Sequence, residues 1–344
     1  MALNFKKKPR HQSIKYRSLL YFIFLLALST CNKKENLQPQ AIIESDFKIY
    51  VDRFISEAAS RGYKINDDQL SVIYSDTMNY YCGYGIFDTK QVLVSSVHGS
   101  CWQTQSDINR EILMFHELGH ALLARNHDAS KLPNGDFKTM MCGGNAFVNL
   151  FTLYNEDTPE RRKYYLDELF NPLTPPPGWA AEKTKATLIF NDTLSVASNS
   201  WIYKSSGTQQ GVLSTSVFFS PSTSLEIKSS GSPSSSASYW YKIISPDGIN
   251  QSDKLVLKVN IKLQNVEGSG AYIALYGDTD SKTIFFSLMQ GSLQGITGTS
   301  DFTEYSATVP YFIATVKNLR LALFLDGKTT GTVYFDDVTL TKYE

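Results

Sequence analysis

The pattern of apolar and polar positions divides the chain in two. Between residues 43 and 172 the period changes repeatedly, whereas beyond residue 183 it stays close to the period of two that suits strands. The first helix it predicts starts at Ser45, whose hydroxyl is placed to cap it. Phe47, Tyr50, Val51, Phe54, Ile55 and Ala58 keep helical spacing, and Gly62 closes the segment. Strand-like runs follow at 71–75, 80–87 and 91–96. A second helix opens at Ser106 or Asp107, either able to accept from an unpaired backbone N–H. Ile108, Ile112, Phe115, Gly119 and Leu122 give that helix one continuous apolar stripe, with Gly119 leaving room for a neighbour. Asp157-Thr-Pro-Glu160 starts a third helix with proline in its first turn, and Tyr164, Tyr165, Leu169 and Phe170 form its core face.

Residues 173–182 lie in a proline-rich stretch that cannot continue a helix or a central strand, and they read as a linker. Past it Ser, Thr and Gly dominate. Strand-type runs recur at 186–190, 211–219, 223–228, 239–244, 254–263, 271–276, 283–288, 303–309, 318–325 and 331–340. Such spacing predicts a β-sandwich or jelly roll. The fold class is therefore multidomain: an α+β domain over 43–172, then an all-β sandwich over 183–344.

The N-terminus is of another kind. Lys6, Lys7, Lys8, Arg10, Lys15 and Arg17 precede an apolar run, Leu19 to Leu28, that is too short to span a bilayer as a helix. Leu28-Ser-Thr-Cys31 then resembles the lipobox of bacterial lipoproteins. That resemblance implies a signal peptide over 1–30, lipidation at Cys31 and a flexible tether over 31–42. It also implies residence in the cell envelope, at the periplasmic or outer face of a membrane that the chain does not cross.

Charges balance at 33 basic and 33 acidic residues. Loss of the basic leader would make the rest mildly acidic, which argues against nucleic-acid binding. Roughly 310 residues would remain, enough for two cores. Of the other cysteines, Cys82 and Cys101 bracket a predicted strand pair and are the preferred disulfide, leaving Cys142 as a buried thiol. Pairings of Cys142 with either one stay open.

The candidate chemistry lies late on the second helix, in His116-Glu-Leu-Gly-His120. Two imidazoles one turn apart can converge on one metal ion, and Glu117 lies where a carboxylate reaches a metal-bound water. His127 could be a third ligand only if the helix stops between Leu122 and Asn126. In an unbroken helix it would lie about 10 Å beyond His120. Asn126, which tolerates the left-handed conformation, is the expected stop. Asp128, Glu156 and Glu160 are the other candidates for third ligand.

These residues resemble the metzincin clan of zinc metallopeptidases over roughly 43–172. The clan's signature is H-E-x-x-H-x-x-G-x-x-H with a methionine-containing turn downstream. The chain departs from it at Leu123, in the glycine position, and in a third histidine that arrives one residue late. The resemblance implies zinc on His116, His120 and His127, Glu117 as general base, and Met141, or else Met140, beneath the metal. It also places 91–96 where the clan has its cleft-lining strand, and such an edge can hold an extended peptide. Tyr154 and His98 are candidate donors to the oxyanion.

The ending Gly331–Leu340 resembles the last strand of galactose-binding-like carbohydrate-binding modules. That likeness implies a structural calcium at Asp337 or Asp336, with oxygens near Asn191 and Asp192. It also implies glycan stacking on Trp201, Tyr203, Trp240 or Tyr241. The expected function is a lipid-anchored zinc endopeptidase, acting as a monomer on protein or glycoprotein and positioned by its C-terminal domain. The rival is a surface glycan- or protein-binding lipoprotein whose zincin-like domain is degenerate. A metal-dependent esterase is a third alternative.

Overall fold

A computed structural model describes residues 41–344 apart from 79–80, 98–100, 144–152, 196–199, 206, 230, 232–235 and 290–294. Residues 1–40, Cys31 among them, and His98 lie outside the described residues. No described helix is long and apolar enough to cross a membrane.

The first lobe is mixed α/β. Its strands are β1 (Ile42–Ile43), β2 (Ser71–Ser75), β3 (Gly83–Ile86) and β4 (Gln91–Ser95), in the sheet order β1-β2-β4-β3. β1, β2 and β4 run parallel, and β3 is an antiparallel edge. The strand expected at the cleft is thus interior. β4 is hydrogen-bonded on both sides and buries Val92 and Val94, so the sheet edges are β1 and β3.

Helices α1 (Ser45–Ser60), α2 (Asp107–Leu123) and α3 (Pro159–Phe170) meet through aromatic rings, with Phe54 centred 5.3 Å from Phe115 and 5.1 Å from Phe170. α1 buries Phe47, Tyr50, Val51, Phe54 and Ala58. Its cap position is Glu44 rather than Ser45, and the Glu44 carboxylate accepts instead from the Tyr74 N–H of β2. Charged groups also join the helices. Glu111 of α2 accepts from Arg162 of α3 at 2.8 Å and from Arg53 of α1 at 3.4 Å.

The second lobe is all β. Strands β5 (Ala186–Asp192) to β14 (Thr330–Tyr343) include β6 (Ile202–Lys204), β7 (Gln210–Ser214), β8 (Ser224–Ser229), β9 (Ser238–Ile244), β10 (Lys254–Asp278), β11 (Thr283–Leu288), β12 (Ile296–Val309) and β13 (Asn318–Leu325). The strand path runs β6-β9-β13-β10-β14-β8-β7, and β5, β11 and β12 pair onto it. The runs expected at 254–263 and 271–276 are one strand. Its first half lies between β12 and β14, its second between β11 and β13, and register shifts between Ile261 and Ala271 mark the crossing. Bulges that bend a strand let it pass from one layer to the other without losing its ladder.

The proline-rich stretch does more than space the lobes. Trp179, in a short helical turn at Gly178–Ala180, packs against both cores and lies edge-on to Tyr164 and Tyr311. Beneath it Arg161 pairs with Asp136 at 2.5 Å, both buried.

Candidate metal centre

The site starts from a well-capped helix. Ser106 Oγ accepts from the Asn109 N–H, which satisfies one of the unpaired donors at the start of α2. Ile112, Phe115 and Leu118 are fully buried, and Gly119 lies where Met141 comes closest. A Cβ at Gly119 would stand 2.7 Å from the Met141 sulfur and 3.1 Å from Leu169. Absence of a side chain there is what admits the methionine.

α2 ends at Leu123. Ala124 takes the left-handed conformation, φ 52° and ψ 31°, and the N–H of Arg125 reaches back to the Gly119 carbonyl at 3.0 Å. The stop thus falls inside the expected window but at Ala124, not Asn126. With one residue more than the metzincin spacing, the reversal begins one position later than that clan's glycine. Arg125 secures the bend: its guanidinium donates to the carbonyls of Glu168 and Leu169 and to the Glu168 carboxylate, at 2.6–2.8 Å. A cation on the last carbonyls of α3 is favoured by both hydrogen bonding and the helix dipole.

Folding back brings His127 to the two earlier imidazoles. The Nε2 atoms of His116, His120 and His127 lie 3.1–3.3 Å apart. No hydrogen-bond network needs three ring nitrogens facing one another. A tetrahedral ion with Zn–N bonds of about 2.0–2.1 Å would set its ligand nitrogens ~3.3 Å apart. The residues present therefore fit a zinc-sized ion. This is the one such group of potential metal-binding side chains among the described residues.

The far side of each ring supports the same assignment. His116 Nδ1 donates to the Met140 carbonyl at 2.7 Å, and His120 Nδ1 donates to the Arg125 carbonyl at 2.5 Å. A carbonyl only accepts, so the proton sits on Nδ1 and the Nε2 lone pair faces the centre. Burial pulls the His116 pKa down to about 3 against the pull of the Met140 carbonyl, and burial likewise lowers that of His120. Both shifts favour the neutral ring that a ligand must be. His127 is exposed, and its Nδ1 lies 2.7 Å from where a Cβ on Gly143 would stand, so Gly143 makes room for the ring.

Glu117 is buried beside them, and burial pushes its pKa up to about 8 despite a hydrogen bond from the Gly85 backbone. β3 supplies that backbone. Added Cβ atoms would strike the Glu117 carboxylate at Gly83, and the Glu117 carbonyl and His120 at Gly85. The alternation Gly83-Tyr-Gly85 thus lays bare main chain on the metal helix, a signal visible in the sequence as glycines two apart in a strand. Arg125 and the Met140 carbonyl carry no such signal.

The other candidates lie elsewhere. Asp128 Oδ1 is held by the N–H and hydroxyl of Ser130, Glu156 pairs with Lys282, and Glu160 accepts from Tyr311. Tyr154 is buried with its hydroxyl directed to Glu111, so it is not placed as an oxyanion donor. Cys82 and Cys101 form a disulfide just ahead of β3 and α2, while Cys142 is a buried thiol whose pKa burial raises to about 12.

Among the described residues the C-terminal aspartates are engaged within the fold, and no cluster of metal-binding side chains gathers around them. Asp336 accepts from the N–H groups of Phe219, Ser220 and Asp337, Asp337 accepts from Ser220, and Asp192 pairs with Lys242. Trp201 and Trp240 belong to the sandwich core, with Tyr203 packed against it, so stacking is not open to them. Tyr241 instead joins a second cluster, partly buried with Tyr239, Tyr272, Tyr276 and Phe286 against Ala322 and Phe324.

No family model and no curated protein matches the chain. Among solved structures it is similar to the C-terminal family 22 carbohydrate-binding module of Clostridium thermocellum Xyn10B, at 14% identity and TM-score 0.30, over 44% of this chain and 91% of that one. A xylan-binding domain of the same module family stands at 13% and 0.32, over 44% and 93% of the two chains. A cyclase from Fischerella sp. TAU stands at 17% and 0.33, over 46% and 98%. Likeness at this level carries no argument about what either lobe does.

Proposed function

We propose that this protein is an exported, lipid-anchored zinc endopeptidase. The observation that carries the reading is the convergence of three Nε2 atoms within 3.1–3.3 Å of one another beside a buried glutamate on the same helix. Three neutral imidazoles suit zinc. When bound, it supplies a Lewis acid and a water acidic enough to react near neutral pH.

The chain's own groups do the rest. Glu117 takes the proton of the attacking water on its carboxylate and delivers it to the leaving amine. Its environment suits both steps: burial holds a proton on it, and a cation between the imidazoles favours the ionised form. The free edge of β3 pairs with an extended substrate main chain and lays the scissile bond across Glu117. Met140 and Arg125 keep two rings in the ligating tautomer through their carbonyls.

Export and anchoring rest on the leader and Cys31. The β-lobe places the enzyme on its substrate, and the partly exposed rings of Tyr241 and Tyr239 supply aromatic surface for sugar rings.

The test is metal analysis of the purified protein together with turnover of a denatured protein substrate. One zinc per chain and hydrolysis are expected, with Glu117→Ala keeping the zinc and losing the hydrolysis. Full activity in that variant overturns the mechanism. Saturable binding on a glycan array with no hydrolysis by the wild type replaces the enzyme with a binding lipoprotein.

A further inference from the structure

The two lobes enclose a cavity of about 250 Å³ at their seam, separate from the metal ligands. That is close to the small end of pockets that hold organic ligands, ~300–1,000 Å³. Its walls differ in character. The β-lobe contributes apolar side chains, Ile284, Phe285, Val309 and Ile313. The first lobe contributes Lys131, Asp136, Asn155 and Arg161.

Charge along those walls does not balance. Arg161 is buried, paired with Asp136, and sandwiched with its carbon at 5.0 Å from the Trp179 ring and 4.6 Å from Tyr311. Its charge is matched by that partner. Lys131, an exposed residue, has no ion pair: its amine lies over the Phe137 ring, and Asp136 acts on it only through space, no carboxylate among the described residues coming within ion-pair distance. Two cations and one carboxylate leave one positive charge, set at the edge of an apolar chamber. Asn155 adds a donor, since its amide oxygen is already engaged by the Asp157 N–H. An ammonium in partly apolar surroundings gains more from a bound anion than one in free solvent.

We propose that this cavity binds a small monocarboxylate with an apolar body, the carboxylate on Lys131 and the body against Ile284, Val309 and Ile313. Partial desolvation of the amine lowers the Lys131 pKa, a cost that a bound anion would offset.

Titration calorimetry with 4-phenylbutyrate tests it, run on the full chain carrying His120→Ala so that the carboxylate has no metal to bind. We expect saturable binding that is at least tenfold weaker for 4-phenylbutyramide. Lys131→Met should weaken the acid at least tenfold, and Lys131→Arg should retain it within about threefold. The same titrations on wild-type protein dialysed against chelator must agree. Absence of acid binding, equal affinity for acid and amide, or unchanged acid affinity in Lys131→Met each overturns the proposal. None of these outcomes bears on peptide hydrolysis.

Discussion

The imidazole of His120 donates through Nδ1 to the main-chain carbonyl of Arg125, five residues on, at 2.5 Å. One bond therefore does two things. It fixes the tautomer of a ligand, and it ties that ligand to the reversal that returns His127 to the site. Arg125 is itself pinned by its guanidinium to the end of α3. Removing that pin should loosen the bend without touching a ligand. Arg125→Ala is expected to weaken zinc binding by about 10–100-fold, the usual cost of losing an outer-shell support. Competition with a chromogenic chelator reads this out, and unchanged affinity would contradict the role.

Ala124 carries the left-handed turn at a cost that glycine would not incur, roughly 1 kcal/mol. Part of that gain is offset by the greater freedom of glycine in the unfolded chain. Ala124→Gly should raise stability by about 0.5 kcal/mol in denaturant unfolding and leave zinc content unchanged. A destabilised variant would mean that the bend is not held as described.

Gly85 brings strand and metal helix into contact, and an added Cβ would stand 2.9 Å from the Cβ of His120. It would also stand 2.2 Å from the Glu117 carbonyl oxygen, so Gly85→Ala should displace β3 or the helix by about 1 Å. Misplacement on that scale costs about 100-fold in rate. Assay of kcat/KM beside a circular dichroism spectrum separates this from misfolding. Wild-type turnover would argue against β3 as the substrate strand.

Acid should weaken the helix cluster through Glu57. Burial alone would raise its pKa, but hydrogen bonds from Arg61 and Arg162 outweigh burial and leave the pKa below the usual carboxylate range. A depressed folded pKa means stability that is full above the unfolded value, near 4.3, and lost as pH falls through the folded one. Glu57→Gln should melt below wild type at pH 7, and the gap should close towards pH 3. A gap independent of pH would assign the effect to packing.

Much of the centre was legible in the chain. Capping at Ser106, the buried stripe of α2 and the facing pair His116 and His120 follow from local spacing, which a helix converts directly into geometry. The left-handed residue was less legible, because Asn126 has the better intrinsic preference. Ala124 is chosen by where the Gly119 carbonyl and the α3 terminus can be reached, and those are tertiary demands. The order of β3 and β4 was hidden for a similar reason, since strand periodicity reports a buried face but not a neighbour. Continuity of β10 through Asn265 and Gly270 was also hidden, because glycines that read as a loop serve there as bulges in a strand that changes layers.

X-ray absorption at the zinc edge tests the central assignment most directly, on the wild type and on His127→Ala. The account predicts three imidazole nitrogens at about 2.0 Å plus one light atom in the wild type, and one nitrogen fewer in the variant. An identical spectrum from the two proteins, or a first shell containing sulfur, would contradict it.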